Sequence, residues 1–473
     1  MTAPFPVKTL FEPKSVAVLG ASRTKGRPGN VVVKNLVEIF NGPIYPINPH
    51  ADNLYGLKVY PDIFSVGEVE CAIIILPTDL VVNAVEDCIK KGIKSVIIIT
   101  EGFAETGTET GKNYQNKLKK LSNKINILGT GTLGVVNLPV FTSTYVEIAG
   151  LKQNGNIAFV SQSGIFTGGM IEYFRTHNFN MSKIVSLGNK IGIDDADIID
   201  YLYNDGITNV ICLYLEGISN GKRFINSARK FIRDKGPIIV LKGGKSPSGI
   251  KAAMSHTSSI AINNDIFDSI IKQTGIIQVE DLNEFIYLSK AFSLYNEPIQ
   301  GNKIAIITYS GALGVLTSDQ CTKYGLKLAN FTEQTQKRIK EVVFDRNPAN
   351  NPVDTYPATL KKGTEKTFIT CLEAVMEDPG VDCAILTAWG SNNPDNDEVK
   401  YSEHLKDTIL KYQSKNKPTI VAVIGEKDGI ERQRKFFEDN NIINVEFPDE
   451  APKIISKMYN YYHFKNNILL KYY

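Results

Sequence analysis

Val16-Ala17-Val18-Leu19-Gly20-Ala21-Ser22-Arg23-Thr24-Lys25-Gly26-Arg27-Pro28-Gly29-Asn30 is the stretch that decides the fold. An apolar, β-branched run of strand length enters a glycine-rich turn, and residues 31–40 then carry helical spacing. The same order of strand, small-residue turn and helix returns twice. Residues 156–160 lead into Ser161-Gln162-Ser163-Gly164, and residues 303–308 lead into Tyr309-Ser310-Gly311. Further strands are read at 43–47, 71–76, 95–100, 183–187, 210–215, 237–241, 383–387 and 419–424. Helices are read at 79–91, with a left-handed stop at Gly92, and at 112–124, 168–176, 194–205 and 223–234. The strands are apolar throughout rather than alternating, which indicates parallel sheets covered on both faces.

The pattern predicts an α/β chain of three consecutive doubly wound domains, over residues 1–128, 129–298 and 299–473. Length agrees: 473 residues at roughly 150 per domain is about three. The tail, residues 457–473, is rich in Lys, Tyr and Asn and reads as a docking helix with aromatic anchors rather than a nucleic-acid stacking platform. Lys plus Arg is 53 and Asp plus Glu is 50, so there is no basic excess and a nucleic-acid partner is not expected. No apolar run approaches the roughly 20 residues of a membrane helix, and the first residues contain no apolar targeting core. The six cysteines are scattered without a CxxC pair and read as core residues, with no disulfide framework and no metal site. A cytoplasmic globular protein is expected.

Three stretches could carry chemistry. Glycines at 20–29, between a strand and a helix, let backbone N–H groups approach a phosphate at the helix N-terminus. Ser22 stands where the dinucleotide fingerprint has its second glycine, and the loop carries Arg23, Lys25 and Arg27. The bland alternative is a tight turn with solvated cations. Ser161-Gln162-Ser163-Gly164 is a second anion cradle, or an ordinary turn. The third stretch runs from Lys242-Gly243-Gly244-Lys245 to Met254-Ser255-His256-Thr257. His256 alone of the five histidines sits among small hydroxyl residues in a basic, glycine-rich segment, where it could serve as a nucleophile or merely decorate a capped surface loop. A nucleophilic histidine needs an orienting acceptor. Glu216, at the end of the strand 210–215, is the candidate, because strand C-termini line the crevice of a parallel sheet.

With these residues in view, the chain resembles the α subunit of ADP-forming acetyl-CoA synthetases, within the succinyl-CoA synthetase superfamily. The resemblance spans nearly the whole chain. It rests on Val18-Leu19-Gly20-Ala21-Ser22, Pro46-Ile47-Asn48-Pro49, Val160-Ser161-Gln162-Ser163-Gly164, Ser186-Leu187-Gly188-Asn189-Lys190 with Asp194-Asp195-Ala196-Asp197, Leu215-Glu216-Gly217, Ser255-His256-Thr257 and Asn351-Pro352-Val353-Asp354. It implies a Rossmann-like CoA-binding domain followed by two flavodoxin-like CoA-ligase domains. It also implies CoA held by Gly20, Ala21, Ser22, Lys25, Gly29, Asn48 and Pro77, and a phosphoryl group held by Ser161, Gln162, Ser163 and Gly164. His256 would be the phosphorylated histidine and Glu216 its support. ADP or ATP and Mg²⁺ would bind an ATP-grasp β partner, in an α2β2 assembly. The substrates would be acyl-CoA or an organic acid, and phosphate.

The chain departs from the family pattern at three places. Gly129-Thr130-Gly131-Thr132-Leu133-Gly134 stands for Gly-Pro-Asn-Cys-Leu-Gly, Tyr309-Ser310-Gly311-Ala312-Leu313-Gly314 for Asn-Ala-Gly-Gly-Pro-Gly, and Ser258 for a glycine. Two other readings compete: a non-catalytic CoA-binding homologue, as in the synthetase-like part of protein lysine acetyltransferases, and a nicotinamide oxidoreductase argued from the first loop alone. The loop separates CoA from NAD. At about a hundred times its Kd, CoA should stabilise the folded chain by about 2.7 kcal/mol. A thermal shift with CoA and none with NAD is expected; equal shifts would contradict a CoA-specific first domain.

Overall fold

The computed structural model describes residues 3–151, 153–177, 179–256, 264–295, 297–343, 349–393 and 396–469. The chain forms two compact units, Met1–Glu280 and Asp281–Tyr473. The first unit holds two large sheets and a two-stranded antiparallel pair, Asn53–Leu54 with Leu57–Lys58. Strands β1 (Val16–Leu19), β2 (Ile44–Ile47), β3 (Cys71–Ile74), β4 (Ser95–Ile98) and β5 (Asn126–Gly129) form a parallel sheet in the order β2-β1-β3-β4-β5. Helices α1 (Pro28–Ile39), α2 (Thr78–Lys91) and α3 (Glu109–Leu121) connect them. Helix α1 starts earlier than its apolar spacing suggests because Pro28 opens it, where the missing N–H is no loss. Helix α2 stops at Gly92 with φ of 84°, the left-handed ending that glycine permits.

The second sheet opens with an antiparallel edge, β6 (Val135–Asn137) and β7 (Phe141–Thr142), too short to carry a strand pattern in the sequence. Its parallel part comprises β8 (Gln153–Ser161), β9 (Met181–Ser186), β10 (Val210–Leu215), β11 (Ile238–Lys242) and β12 (Ile277–Val279). The whole order is β12-β11-β10-β8-β9-β6-β7. Helices α4 (Gly164–Thr176), α5 (Asp195–Asn204), α6 (Gly221–Asp234), α7 (Pro247–His256) and α8 (Asn264–Thr274) accompany it.

The two sheets are joined along an edge. Asn189, Ile191 and Ile193 donate their N–H groups to the carbonyls of Thr130, Gly129 and Ile127 at 2.9, 3.1 and 2.9 Å. The segment leaving β9 therefore runs as an extra strand-like stretch along β5. Phe11 stacks on Tyr201 of α5 with centroids 4.1 Å apart, which fastens the N-terminal arm to the second sheet.

In the second unit, β13 (Lys303–Thr308), β14 (Lys327–Leu328), β15 (Val353–Asp354), β16 (Cys383–Gly390), β17 (Thr419–Gly425) and β18 (Asn444–Val445) form a parallel sheet in the order β14-β13-β16-β17-β18, with β15 paired to β13. Counting only the main strands, all three sheets have the order 2-1-3-4-5, the doubly wound arrangement that leaves a crevice between strands 1 and 3. The chain is thus α/β throughout, as the three repeats of strand, turn and helix predict. All six cysteines are buried.

The last long helix, Ala451–Phe464, docks as its aromatic residues suggest. Tyr461 and Tyr462 are buried against Phe292 of the helix Leu282–Leu294, with centroids 5.1 and 6.0 Å apart. Phe292→Ala should remove this seat and cost the second unit about 3–5 kcal/mol. Chemical denaturation of the full chain should show an early transition in the variant; an unchanged curve would mean the helix is held by other contacts.

Candidate functional site

Strands 1 and 3 of each sheet send their connections to opposite faces, so the loops after them face one another across the crevice. In the first sheet these are residues 20–29 and 75–77. Gly20 has φ of 93°, and a Cβ there would lie 2.1 Å from the carbonyl oxygen of Ile75. A Cβ on Gly29 would lie 2.1 Å from the carbonyl oxygen of Gly20. Both positions therefore require glycine, and together they fold the loop back onto the start of α1.

Two amides complete the loop. The Asn48 side chain donates to the Ala21 carbonyl at 2.6 Å and the Asn30 side chain donates to the Ser22 carbonyl at 2.8 Å. Arg23 reaches the His50 carbonyl at 3.1 Å, while Lys25 and Arg27 stand exposed. Pro77 precedes the first residue of α2 across the crevice. Gly20, Ala21, Ser22, Gly29 and Asn48 are thus gathered into one loop beside a 12-residue helix N-terminus, with the Lys25 cation on its rim. This arrangement suits a ligand with several phosphates.

The second sheet repeats the geometry. The Ser161 hydroxyl donates to the Ser163 carbonyl and accepts from the Ser163 N–H, each at 3.1 Å. Ser163 caps α4, accepting from the Phe166 N–H at 3.5 Å, so the helix begins at Gly164 instead of further along. Gln162 is buried, and its side-chain carbonyl accepts the N–H groups of both Glu216 (2.9 Å) and Gly217 (3.1 Å). The turn after strand 1 and the turn after strand 3 are therefore pinned together.

Glu216 is 6% exposed, and its Oε1 accepts from the Tyr214 hydroxyl at 3.2 Å. Burial first, and then the Glu216 carboxylate, push the Tyr214 hydroxyl up to about 12, so it remains a proton donor at neutral pH.

The loop leaving β11 packs directly on this carboxylate. The Gly243 N–H donates to the Leu215 carbonyl at 2.9 Å, and a Cβ on Gly243 would lie 2.8 Å from the Tyr214 hydroxyl and 3.3 Å from Glu216 Cγ. Lys242, buried, donates to the carbonyls of Gly243 and Gly244 at 3.1 and 3.2 Å. Burial, helped by the nearby Lys245 charge, holds the Lys242 ammonium below its usual range. Helix α7 follows and ends at His256. The His256 side chain, with residues 257–263, lies outside the described residues.

Several contributors lie in stretches the sequence marks without revealing their contacts. The Lys190 ammonium donates to the Gly217 carbonyl at 2.6 Å and to Asp195 at 2.9 Å. Thr130 and Thr132 turn their hydroxyls inward: Thr130 accepts from the Asn189 side chain at 3.0 Å and Thr132 donates to the Ser186 carbonyl at 2.5 Å. A Cβ on Gly164 would sit 3.3 Å from the Gly131 carbonyl, so the altered 129–134 loop borders the start of α4. Lys190 has a left-handed φ of 51°, one of four such non-glycine residues among those described, and no sequence pattern announces it.

Comparison with known proteins agrees with this geometry. Residues 14–137 match the CoA binding domain family, residues 154–292 the succinyl-CoA ligase like flavodoxin domain and residues 304–467 the ligase-CoA domain. The fold and the paired crevices of the first unit define a CoA ligase of the succinyl-CoA ligase class. Within it, the chain belongs to the family of ADP-forming acetate–CoA ligases. It is 38% identical over 462 residues to acetate–CoA ligase (ADP-forming) II of Archaeoglobus fulgidus, covering 96% of this chain and 67% of that protein. It is 34% identical over 453 residues to acetate–CoA ligase (ADP-forming) II subunit alpha of Pyrococcus furiosus, covering 93% of this chain and 94% of that one. The solved structure of dinucleotide forming acetyl-coenzyme A synthetase 1 from Ca. Korarchaeum cryptofilum, in complex with phosphate and ADP, matches with a TM-score of 0.87 at 29% identity over 99% of both chains. Among the described residues no helix is long and apolar enough to cross a membrane.

The glycine requirement in the first loop is testable. Gly29→Ala should force the backbone of Gly20 aside and weaken CoA binding by at least about tenfold, or about 1.4 kcal/mol. Calorimetric titration measures this; an unchanged Kd would remove the loop from the CoA site.

Proposed function

We propose that this chain is the α subunit of an ADP-forming acyl-CoA ligase that interconverts acyl-CoA, ADP and phosphate with an organic acid, CoA and ATP. In the ATP-forming direction, phosphate adds to the thioester carbonyl and the CoA thiolate leaves, giving an acyl phosphate. The imidazole of His256 then attacks the phosphorus, and the carboxylate of the acid departs. Phosphohistidine, at the last residue of α7, passes its phosphoryl group to ADP on an ATP-grasp β partner, where Mg²⁺ would accompany the nucleotide.

The observation that carries this reading is the placement of Glu216. A buried carboxylate, anchored through its backbone by Gln162, meets the loop that leads from β11 towards His256. A carboxylate so placed orients one imidazole nitrogen and leaves the other to react. The α4 N-terminus, beside Ser161, Gln162, Ser163 and Gly164, offers its backbone donors to the transferring phosphoryl group. The 20–29 loop, with Asn48 and Pro77, receives the phosphates of CoA. The subunit alpha name of the Pyrococcus relative supports a separate β partner, and α2β2 is the assembly we infer. CoA, ADP and phosphate meet in the cytoplasm, where the complex would act.

A CoA-binding homologue without chemistry is not favoured, because Ser255-His256-Thr257 and Glu216 are both retained. With the β partner present, His256→Ala should abolish ATP formation from acyl-CoA, ADP and phosphate. Glu216→Gln should lower kcat by about 10²-fold, in the range of a positioned acid–base group, with CoA binding intact. Coupled ATP production checks both. ATP synthesis at the wild-type rate by His256→Ala would overturn the reading.

A further inference from the structure

We propose that Lys190 is a positioning residue for Glu216, acting through the Gly217 carbonyl; this rests on the reading that Glu216 orients His256. Lys190 lies in the stretch that joins the two sheets of the first unit. Its neighbours Asn189 and Ile191 are hydrogen-bonded to Thr130 and Gly129, so its backbone is fixed on the edge of the CoA-binding sheet. From there the side chain crosses to the other crevice. Its ammonium donates to the Gly217 carbonyl at 2.6 Å and to Asp195 Oδ2 at 2.9 Å, and the Lys190 and Asp195 side chains are 3% and 2% exposed.

Two features of this arrangement work against stability. Lys190 adopts φ of 51°, a left-handed conformation that disfavours a side chain by about 1–3 kcal/mol. A buried Lys–Asp pair also gives little or no net stabilisation over apolar residues of similar volume. Asp195 Oδ1 has no hydrogen-bond partner among the described residues, so the carboxylate is aligned chiefly by the ammonium. Such a pair makes sense as a means of holding something else.

What it holds is the Glu216–Gly217 segment. Gln162 takes the two N–H groups of that segment from the strand 1 turn, and Lys190 takes the Gly217 carbonyl from the strand 2 exit. Glu216 is thereby fixed from two sides, with its Cγ against Gly243 and its Oε1 on Tyr214. Without Lys190, the segment would keep the Gln162 bonds on its N–H side and lose the clamp on its carbonyl side, and the Glu216 carboxylate would be less firmly oriented.

The test is a double-mutant cycle in the full αβ complex, read as the single-turnover rate of histidine phosphorylation. Lys190→Met keeps the length and removes the charge and donors. It should slow phosphorylation by about 10–100-fold while the Kd for CoA stays within about twofold. In a Glu216→Gln background the same change should cost less than about threefold, because a residue that acts through Glu216 has nothing left to act on. A full multiplicative loss in the double variant, or a wild-type rate in Lys190→Met, would overturn the proposal. Should Lys190→Met fail to fold, Lys190→Gln keeps a donor without the charge and must show an intermediate loss with the same non-additivity. A wild-type rate in Glu216→Gln alone would instead sink the reading of Glu216, a result distinct from failure of the clamp.

Discussion

The side-chain carbonyl of Gln162 accepts two backbone N–H groups, from Glu216 and Gly217, and the site in the first unit depends on that pair of hydrogen bonds. Parallel sheets bring the ends of strands 1 and 3 close but do not join the turns that leave them. A buried amide oxygen with two lone pairs does so without introducing charge. It draws the capped start of α4 and the Glu216 carboxylate to one edge, and the loop from β11 closes over both. A buried N–H left without an acceptor would cost about 1–3 kcal/mol, so the two turns are held firmly together.

The same strand order occurs in all three sheets, yet the crevices differ in what their loops offer. The first is lined by glycine backbone and rimmed by cations, which suits a ligand of several phosphates. The second presents a helix N-terminus, a buried carboxylate and a glycine-rich loop, which suits one phosphoryl group in transit. The third retains the turn itself: Thr308 and Ser310 repeat the hydroxyl–backbone contacts of Ser161 and Ser163, at 3.2 and 3.1 Å. In place of a carboxylate after its third strand it has Gly390 and Ser391. One topology therefore supports different chemistry, and side chains at the strand exits decide which.

Much of this was legible in the sequence because it is carried by composition. Runs such as Cys71–Ile74 and Val210–Leu215 are apolar throughout since both faces are covered, and glycines 20 and 29 mark backbone contacts no side chain allows. His256 and Glu216 stood out because a histidine among small residues and a carboxylate at a strand end have few structural uses. Lys190 and the threonines of the 129–134 loop fell within quoted motifs but carried no readable role, and Tyr214 did not stand out. Their roles come from where neighbouring loops place a carbonyl or hydroxyl, which depends on packing between segments far apart in the chain. Gln162 shows the limit from the other side. Its position in an anion-cradle motif was readable, but the occupation of its amide oxygen by Glu216 and Gly217 was not.

The central claim is that the chain carries a phosphoryl group on His256. Labelling tests it most directly: the chain, its β partner, Mg²⁺ and γ-labelled ATP, followed by a search for acid-labile, base-stable label. The account predicts label on His256 that is absent from His256→Ala and is chased by CoA together with an acid. An unlabelled chain that still binds CoA, in a complex that still hydrolyses or binds ATP, would contradict it.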